Sequence, residues 1–94
     1  MELYEKTVLI TGATDGMGKE TALMFAKVGA TVLIHGRNPK KLADTLAALR
    51  EANPKGQYYS YQADYASLAD VRAMAEAIKK EHQQIDILIN NAGL

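Results

Sequence analysis

The chain has 94 residues, with 11 basic and 11 acidic side chains and no cysteine. That length builds one core at most, with little stability margin. The balanced charge leaves no net field for nucleic acid or an acidic membrane, and the lack of cysteine excludes disulfides and thiolate metal sites. The first six residues carry no apolar leader, and no later apolar run approaches the roughly 20 residues that span a bilayer. The expectation is a cytoplasmic protein without a membrane segment or nucleic-acid partner.

Residues 7–10 are consecutively apolar after Thr7 and end at a glycine turn, the pattern of a strand buried on both faces. A helix over 19–28 follows, with Ala22, Phe25 and Ala26 on one stripe and Gly29 as the stop residue. Residues 31–35 form a second β-branched, apolar strand that ends at Gly36-Arg37. Asn38 and Pro39 suit the N-cap and N1 positions of a second helix whose Leu42, Leu46 and Leu49 share a face; Asn53-Pro54-Lys55-Gly56 ends it.

The more polar segment 58–62 predicts a strand at a sheet edge. Ser67 and Asp70 resemble a capping box that opens a third helix with Val71, Met74, Ala75 and Ile78 on its apolar face. Residues 85–89 complete a βαβαβαβ order. Short connections between alternating elements predict a parallel sheet with right-handed crossovers, and no linker, repeat or low-complexity tract interrupts it.

The run Thr11-Gly12-Ala13-Thr14-Asp15-Gly16-Met17-Gly18 lies between the first strand and the first helix. Glycines there permit positive φ and leave room for a ligand, while the helix presents unpaired N–H groups and the positive end of its dipole. Pyrophosphate is the natural occupant. A P-loop would require glycine at position 13 and Ser or Thr at position 20, where the chain has Ala13 and Glu20.

Thr11-Gly12-x-x-x-Gly16-x-Gly18 at the first βα turn, with Asn90-Asn91-Ala92-Gly93 after the fourth strand, resembles the short-chain dehydrogenase/reductase family over essentially all 94 residues. The wording Gly18-Lys19-Glu20-Thr21-Ala22 is most similar to retinol-dehydrogenase-like members. The resemblance implies a doubly wound Rossmann fold that binds a nicotinamide dinucleotide. It implies that Gly12, Gly16 and Gly18 form the pyrophosphate turn with Thr11 at its entrance, and that the Met17 backbone faces the diphosphate. Asp64 corresponds to the acidic residue near the adenine amino group, Asn90 to the residue that steadies the sheet, and Ala92 and Gly93 to the lining of the cofactor ribose.

The family's catalytic apparatus resembles a tyrosine with a lysine four residues later, plus a serine and a further asparagine, all downstream of the Asn-Asn-Ala-Gly motif. No Tyr-x-x-x-Lys occurs here, so no catalytic residue is assigned. Residues 1–94 are therefore expected to be the N-terminal cofactor-binding part of one Rossmann domain, inactive alone. The complete enzyme would act on a small carbonyl or alcohol and form a homo-oligomer, and the isolated segment would self-associate. The alternative is a non-catalytic dinucleotide-binding or interaction module that ends naturally near Leu94.

A dinucleotide fold that prefers NAD places a carboxylate at the end of the second strand. Gly36 stands there, followed by Arg37, whose guanidinium suits a 2′-phosphate. NADP(H) is favoured over NAD(H). Asn38 or Lys40 could share that phosphate contact, and Thr14 could add a hydroxyl. Against this, Arg37 has a reading as a solvated arginine, and Asp64 has one as a cap for its own turn. His35 and His82 read as structural, the tyrosines 58, 59 and 61 as sheet packing, Met17 and Met24 as packing residues, and Lys40-Lys41 and Lys79-Lys80 as solvated faces.

Overall fold

In the computed structural model, which describes residues 2–91, four parallel strands lie in the order β3-β2-β1-β4. The strands are β1 (Thr7–Thr11), β2 (Thr31–Gly36), β3 (Tyr58–Gln62) and β4 (Ile87–Asn90), and the helices between them are α1 (Gly16–Lys27), α2 (Pro39–Ala52) and α3 (Leu68–Glu81). Thr7 pairs with Thr31 across β1 and β2, and Val8 pairs with Ile87 across β1 and β4. The parallel sheet expected from the element order, and the doubly wound Rossmann-type fold that the resemblance implies, are thus present.

Period-two alternation sends the side chains of β1 and β2 to two separate cores. Val8, Ile10, Val32 and Ile34 pack beneath Ala22, Phe25 and Ala26 of α1 and Leu42 and Leu49 of α2. Leu9 and Leu33 face the other way, toward Met74 and Ile78 of α3. Complete burial of a side chain such as Leu33 contributes about 1.5–3 kcal/mol. Continuous apolar runs in β1 and β2 follow directly from this two-sided burial.

The helix ends obey local chemistry. The Asn38 side chain accepts the N–H groups of Lys40 and Lys41 and so seals the start of α2. At the end of α1, Gly29 N–H donates to Ala26 O and Ala30 N–H to Phe25 O, a Schellman arrangement with Gly29 at φ 90°. Ser67 caps Asp70 N–H at the start of α3, but the reciprocal half of the capping box is absent. The Asp70 carboxylate instead accepts from Asp64 N–H.

Four expectations are corrected. Helix α1 starts at Gly16, three residues before the expected Lys19, because a helix's first turn needs no upstream carbonyl partners and tolerates glycine there. Strand β4 begins at Ile87 and not Ile85; Asp86 is taken up by Thr7, whose N–H donates to the Asp86 carboxylate at 2.8 Å. Ala75 is exposed, and Ala77 takes its place against the α3 core. Met17 and Met24 are 78% and 56% exposed, so neither packs.

Candidate cofactor site

The carboxyl ends of β1, β2 and β3 open into a cleft of about 770 Å³. Its walls come from three turns: Gly12, Thr14 and Asp15 after β1; His35, Gly36 and Arg37 at the end of β2; and Asp64, Tyr65 and Ala66 after β3. Pro39 and Lys41 add the first turn of α2. A cleft outside the carboxyl ends of a parallel sheet is where open α/β folds bind ligands.

Buried hydrogen bonds fix the floor of this cleft. His35 is 2% exposed; its Nδ1 accepts Gly12 N–H at 3.0 Å, which leaves Nε2 to donate to Ala63 O at 2.8 Å. One imidazole therefore ties β2 to the turns that follow β1 and β3. Tyr65 lies over it, ring centroids 4.6 Å apart. From the other side, Asn91 Nδ2 donates to Gly12 O at 3.0 Å, and Asn91 N–H donates to the Thr11 hydroxyl at 2.9 Å. The Thr11 hydroxyl lies 3.1 Å from Asn90 Oδ1, joining β1 to β4.

Gly18 makes this arrangement sterically possible. A Cβ there would lie 2.2 Å from Gly12 O and 2.8 Å from Asn91 Nδ2, so α1 approaches the turn only without a side chain. Gly16 differs: at φ +54° it has a left-handed backbone, and a Cβ built on it would meet no heavy atom within 4 Å. Space over Gly16 is open, as a cradle for a phosphate requires. Asp15, at the N-cap of α1, makes no side-chain capping bond, whereas α2 is closed by Asn38.

Charges on the rim are paired across the cleft and are exposed. Arg37 Nη1 lies 4.0 Å from Asp64 Oδ1, with side chains 75% and 47% exposed. Lys41 Nζ lies 3.1 Å from Asp15 Oδ2. Exposed pairs of this kind contribute about 0–1 kcal/mol, little enough for a stronger anion to replace the carboxylate. Asp64 also accepts Ala66 N–H at Oδ1, so the turn-capping alternative describes part of what its carboxylate does.

Of the residues singled out in the sequence for the coenzyme, Gly12, Thr14, Gly36, Arg37, Asn38 and Asp64 line the cleft together. Gly16 and Met17 start α1, Gly18 lies beneath the turn, and Thr11 and Asn90 form the β1–β4 junction. Ala92 and Gly93 fall outside the described residues. Lys40 is exposed and does not line the cleft; Lys41, grouped above with the solvated lysines, does. The roles of His35 and Asn91 as braces of the turn were missed. A buried histidine at the end of a strand, and the second asparagine of the pair, were the available signals.

On the α3 face of the sheet, polar groups bond to one another. Tyr61 donates to Glu81 Oε1 at 2.5 Å and lies 3.0 Å from His82 Nε2. Burial, reinforced by the Glu81 carboxylate, raises the Tyr61 phenol above its ordinary range. The Thr7 N–H holds the Asp86 carboxyl below its ordinary value. Among the described residues no helix is long and apolar enough to cross a membrane.

Similarity to known proteins agrees with this architecture. The short chain dehydrogenase family model matches residues 6–94. A 3beta-hydroxysteroid dehydrogenase of Mediterraneibacter gnavus is 39% identical over 90 residues, which are 96% of this chain and 32% of that protein. The short-chain dehydrogenase/reductase homolog YusS of Bacillus subtilis is 35% identical over 95 residues, spanning 100% of this chain and 85% of its own. Mammalian retinol dehydrogenases are also among the relatives. The NADPH-bound short chain oxidoreductase of Pseudomonas aeruginosa PAO1 superposes with a TM-score of 0.89 at 31% identity, over 99% of this chain and 36% of that one. The chain thus spans about a third of the dehydrogenase and of the oxidoreductase. With its glycine turn, its 3-2-1-4 sheet and these relatives, the chain belongs to the short-chain dehydrogenase/reductase family.

Proposed function

We propose that the chain is the NADP(H)-binding portion of an oxidoreductase that moves hydride between a nicotinamide and a carbonyl or alcohol. The observation that carries the coenzyme choice is Gly36-Arg37 at the end of β2, on the wall of the cleft. A Cβ at Gly36 would lie 2.8 Å from Thr14 Cγ2 and 3.2 Å from Leu42 Cδ2, so a side chain there would have to displace both methyl groups, and glycine offers no carboxylate to receive a 2′-hydroxyl. Arg37 follows, and a loosely held guanidinium suits a dianionic phosphate.

The other residues fit a dinucleotide. The open space over Gly16 and the unsealed N-terminus of α1 suit a pyrophosphate, Thr14 offers a hydroxyl beside it, and the Met17 backbone faces the same space. Asp64 and Tyr65 would flank the adenine, with Asn90, Ala92 and Gly93 toward the ribose and nicotinamide. When bound, the nicotinamide supplies or accepts the hydride. The NADPH held by the Pseudomonas neighbour supports this reading. Residues 1–94 include no Tyr-x-x-x-Lys, so these residues alone bind coenzyme and turn over no carbonyl substrate.

Titration of the purified protein, expressed from its complete reading frame, with both coenzymes tests the choice. Charge-assisted hydrogen bonds contribute about 1.5–3 kcal/mol, so Arg37→Ala should weaken NADPH roughly ten- to a hundredfold and change NADH little. Equal losses for the two would refute the 2′-phosphate role. A second reading, a dinucleotide-binding module without catalysis, draws on YusS, 85% of which this chain covers. A stop codon after Leu94 with coenzyme binding retained would favour it, and a downstream Ser and Tyr-x-x-x-Lys would end it.

A further inference from the structure

We propose that Lys41 is a second cation for the coenzyme's 2′-phosphate, and that Asp15 holds it in reserve as a displaceable counter-ion that tunes selectivity for NADP(H). The proposal rests on the NADP(H) reading above.

Three observations meet at this point. Lys41 lines the same cleft wall as Gly36 and Arg37. Its ammonium is engaged by the Asp15 carboxylate at 3.1 Å, across 26 positions of sequence and between the first turns of two different helices. Asp15 occupies an N-cap position yet makes no side-chain bond to α1, so its carboxylate serves the lysine and not the helix. The N–H of Lys41 is already taken by Asn38, which fixes the lysine's backbone while its side chain reaches over the cleft.

The energetics favour an exchange. Both side chains of the pair are more than half exposed, at 53% and 72%, so the bond between them is easily broken. A phosphate monoester carries about −1.5 to −2 charges at neutral pH and attracts the ammonium more strongly than one carboxylate does. The rim carries two cations, Arg37 and Lys41, each facing one carboxylate, Asp64 and Asp15. A 2′-phosphate entering beside Gly36 therefore competes with two aspartates, and a 2′-hydroxyl does not. Asp15 costs NADPH affinity and leaves NADH affinity unchanged.

Coenzyme dissociation constants, read by fluorescence or calorimetry on the protein from its complete reading frame, test this without any turnover. Lys41→Gln, which keeps the stem, should weaken NADPH about fivefold with NADH unchanged, and Asp15→Asn should strengthen NADPH about two- to fivefold. In the double variant the Asp15→Asn gain should vanish, because the carboxylate acts only through Lys41. Raising salt should weaken NADPH less steeply for Lys41→Gln than for the parent. If the parent prefers NADPH and Arg37→Ala removes that preference, while Lys41→Gln and Asp15→Asn leave both coenzymes unchanged, the inference is wrong and the NADP(H) reading stands. An Asp15→Asn loss shared by both coenzymes would equally overturn it. A parent without preference for NADPH would sink both.

Discussion

Two regions of the molecule are built from the same kinds of polar residue in different states. Away from the cleft, Tyr61 of β3 bonds to Glu81 and lies against His82 at the end of α3, and the Asp86 carboxylate accepts the Thr7 N–H at the amino end of β1. At the carboxyl ends the backbone floor is braced by His35 and Asn91, but the charged rim above it is exposed and held by pairs at 3.1 and 4.0 Å. The amino end carries a smaller cleft of its own, lined by Thr7, Glu81, His82 and Asp86. The difference is one of where the turns lie, not of composition, for Glu81 is exposed as the rim aspartates are.

The largest expected effect strikes the floor of the carboxyl-end cleft. Gly18→Val places a branched side chain where even a Cβ would be 2.2 Å from Gly12 O, so α1 must move away from the turn. Binding of both coenzymes should fall by more than about a hundredfold, beyond the loss of a single charged hydrogen bond. Circular dichroism alongside the titration separates this from unfolding. As a control, Gly16→Ala meets no atom and bears only the left-handed backbone penalty of about 1–2 kcal/mol. Unchanged affinity in folded Gly18→Val would place the ligand away from this turn.

Much of the carboxyl end was legible in the sequence because it depends on residue types with few substitutes. Glycines at 16 and 18, and the Gly36-Arg37 step, carry their geometry in their side chains or lack of them. Element order and two-sided burial followed from apolar runs bounded by turns. What escaped was relational. His35 is a brace only because β1 and β3 deliver Gly12 N–H and Ala63 O to its two nitrogens, and no local pattern encodes that convergence. Lys41 looked like its neighbour Lys40 until helix α2 turned one toward the cleft and the other toward solvent. The α3 stripe was given Ala75 where Ala77 packs because an isolated helix does not reveal the angle at which it crosses a sheet.

A lateral contrast predicts a smaller effect. Among the described residues, β3 and β4 are the sheet's edges; β3 presents the polar run Tyr58–Gln62, whereas β4 exposes Leu88 at 61%. An exposed apolar edge invites pairing with another chain, and natural edges discourage it with lysine. The 94-residue chain should therefore self-associate at tens of micromolar. Leu88→Lys should weaken that association about tenfold, in line with about 1.5–3 kcal/mol for burying a leucine. Sedimentation velocity on both chains decides it, and a monomeric parent would remove the argument.

The smallest effect belongs to the amino end of the sheet and tests whether the two ends are independent. The Asp86 carboxyl is held below its ordinary value by the Thr7 N–H, with a lesser contribution from Gln84. A group whose folded-state pKa is depressed stabilises the fold above its unfolded pKa of about 4, and that stabilisation is lost as pH falls through the folded value. Asp86→Asn should lower the unfolding midpoint slightly at neutral pH and flatten the acid limb of the stability curve, because one proton fewer is taken up on unfolding there. Asp86 lies beside Thr7, at the end of β1 remote from the Gly12 turn. Coenzyme affinity should therefore be unchanged. A parallel loss of NADPH and NADH affinity in this variant would mean that β1 and β4 transmit strain along the Thr7–Thr11 register to Thr11 and Asn91. The two ends would then be one mechanical unit.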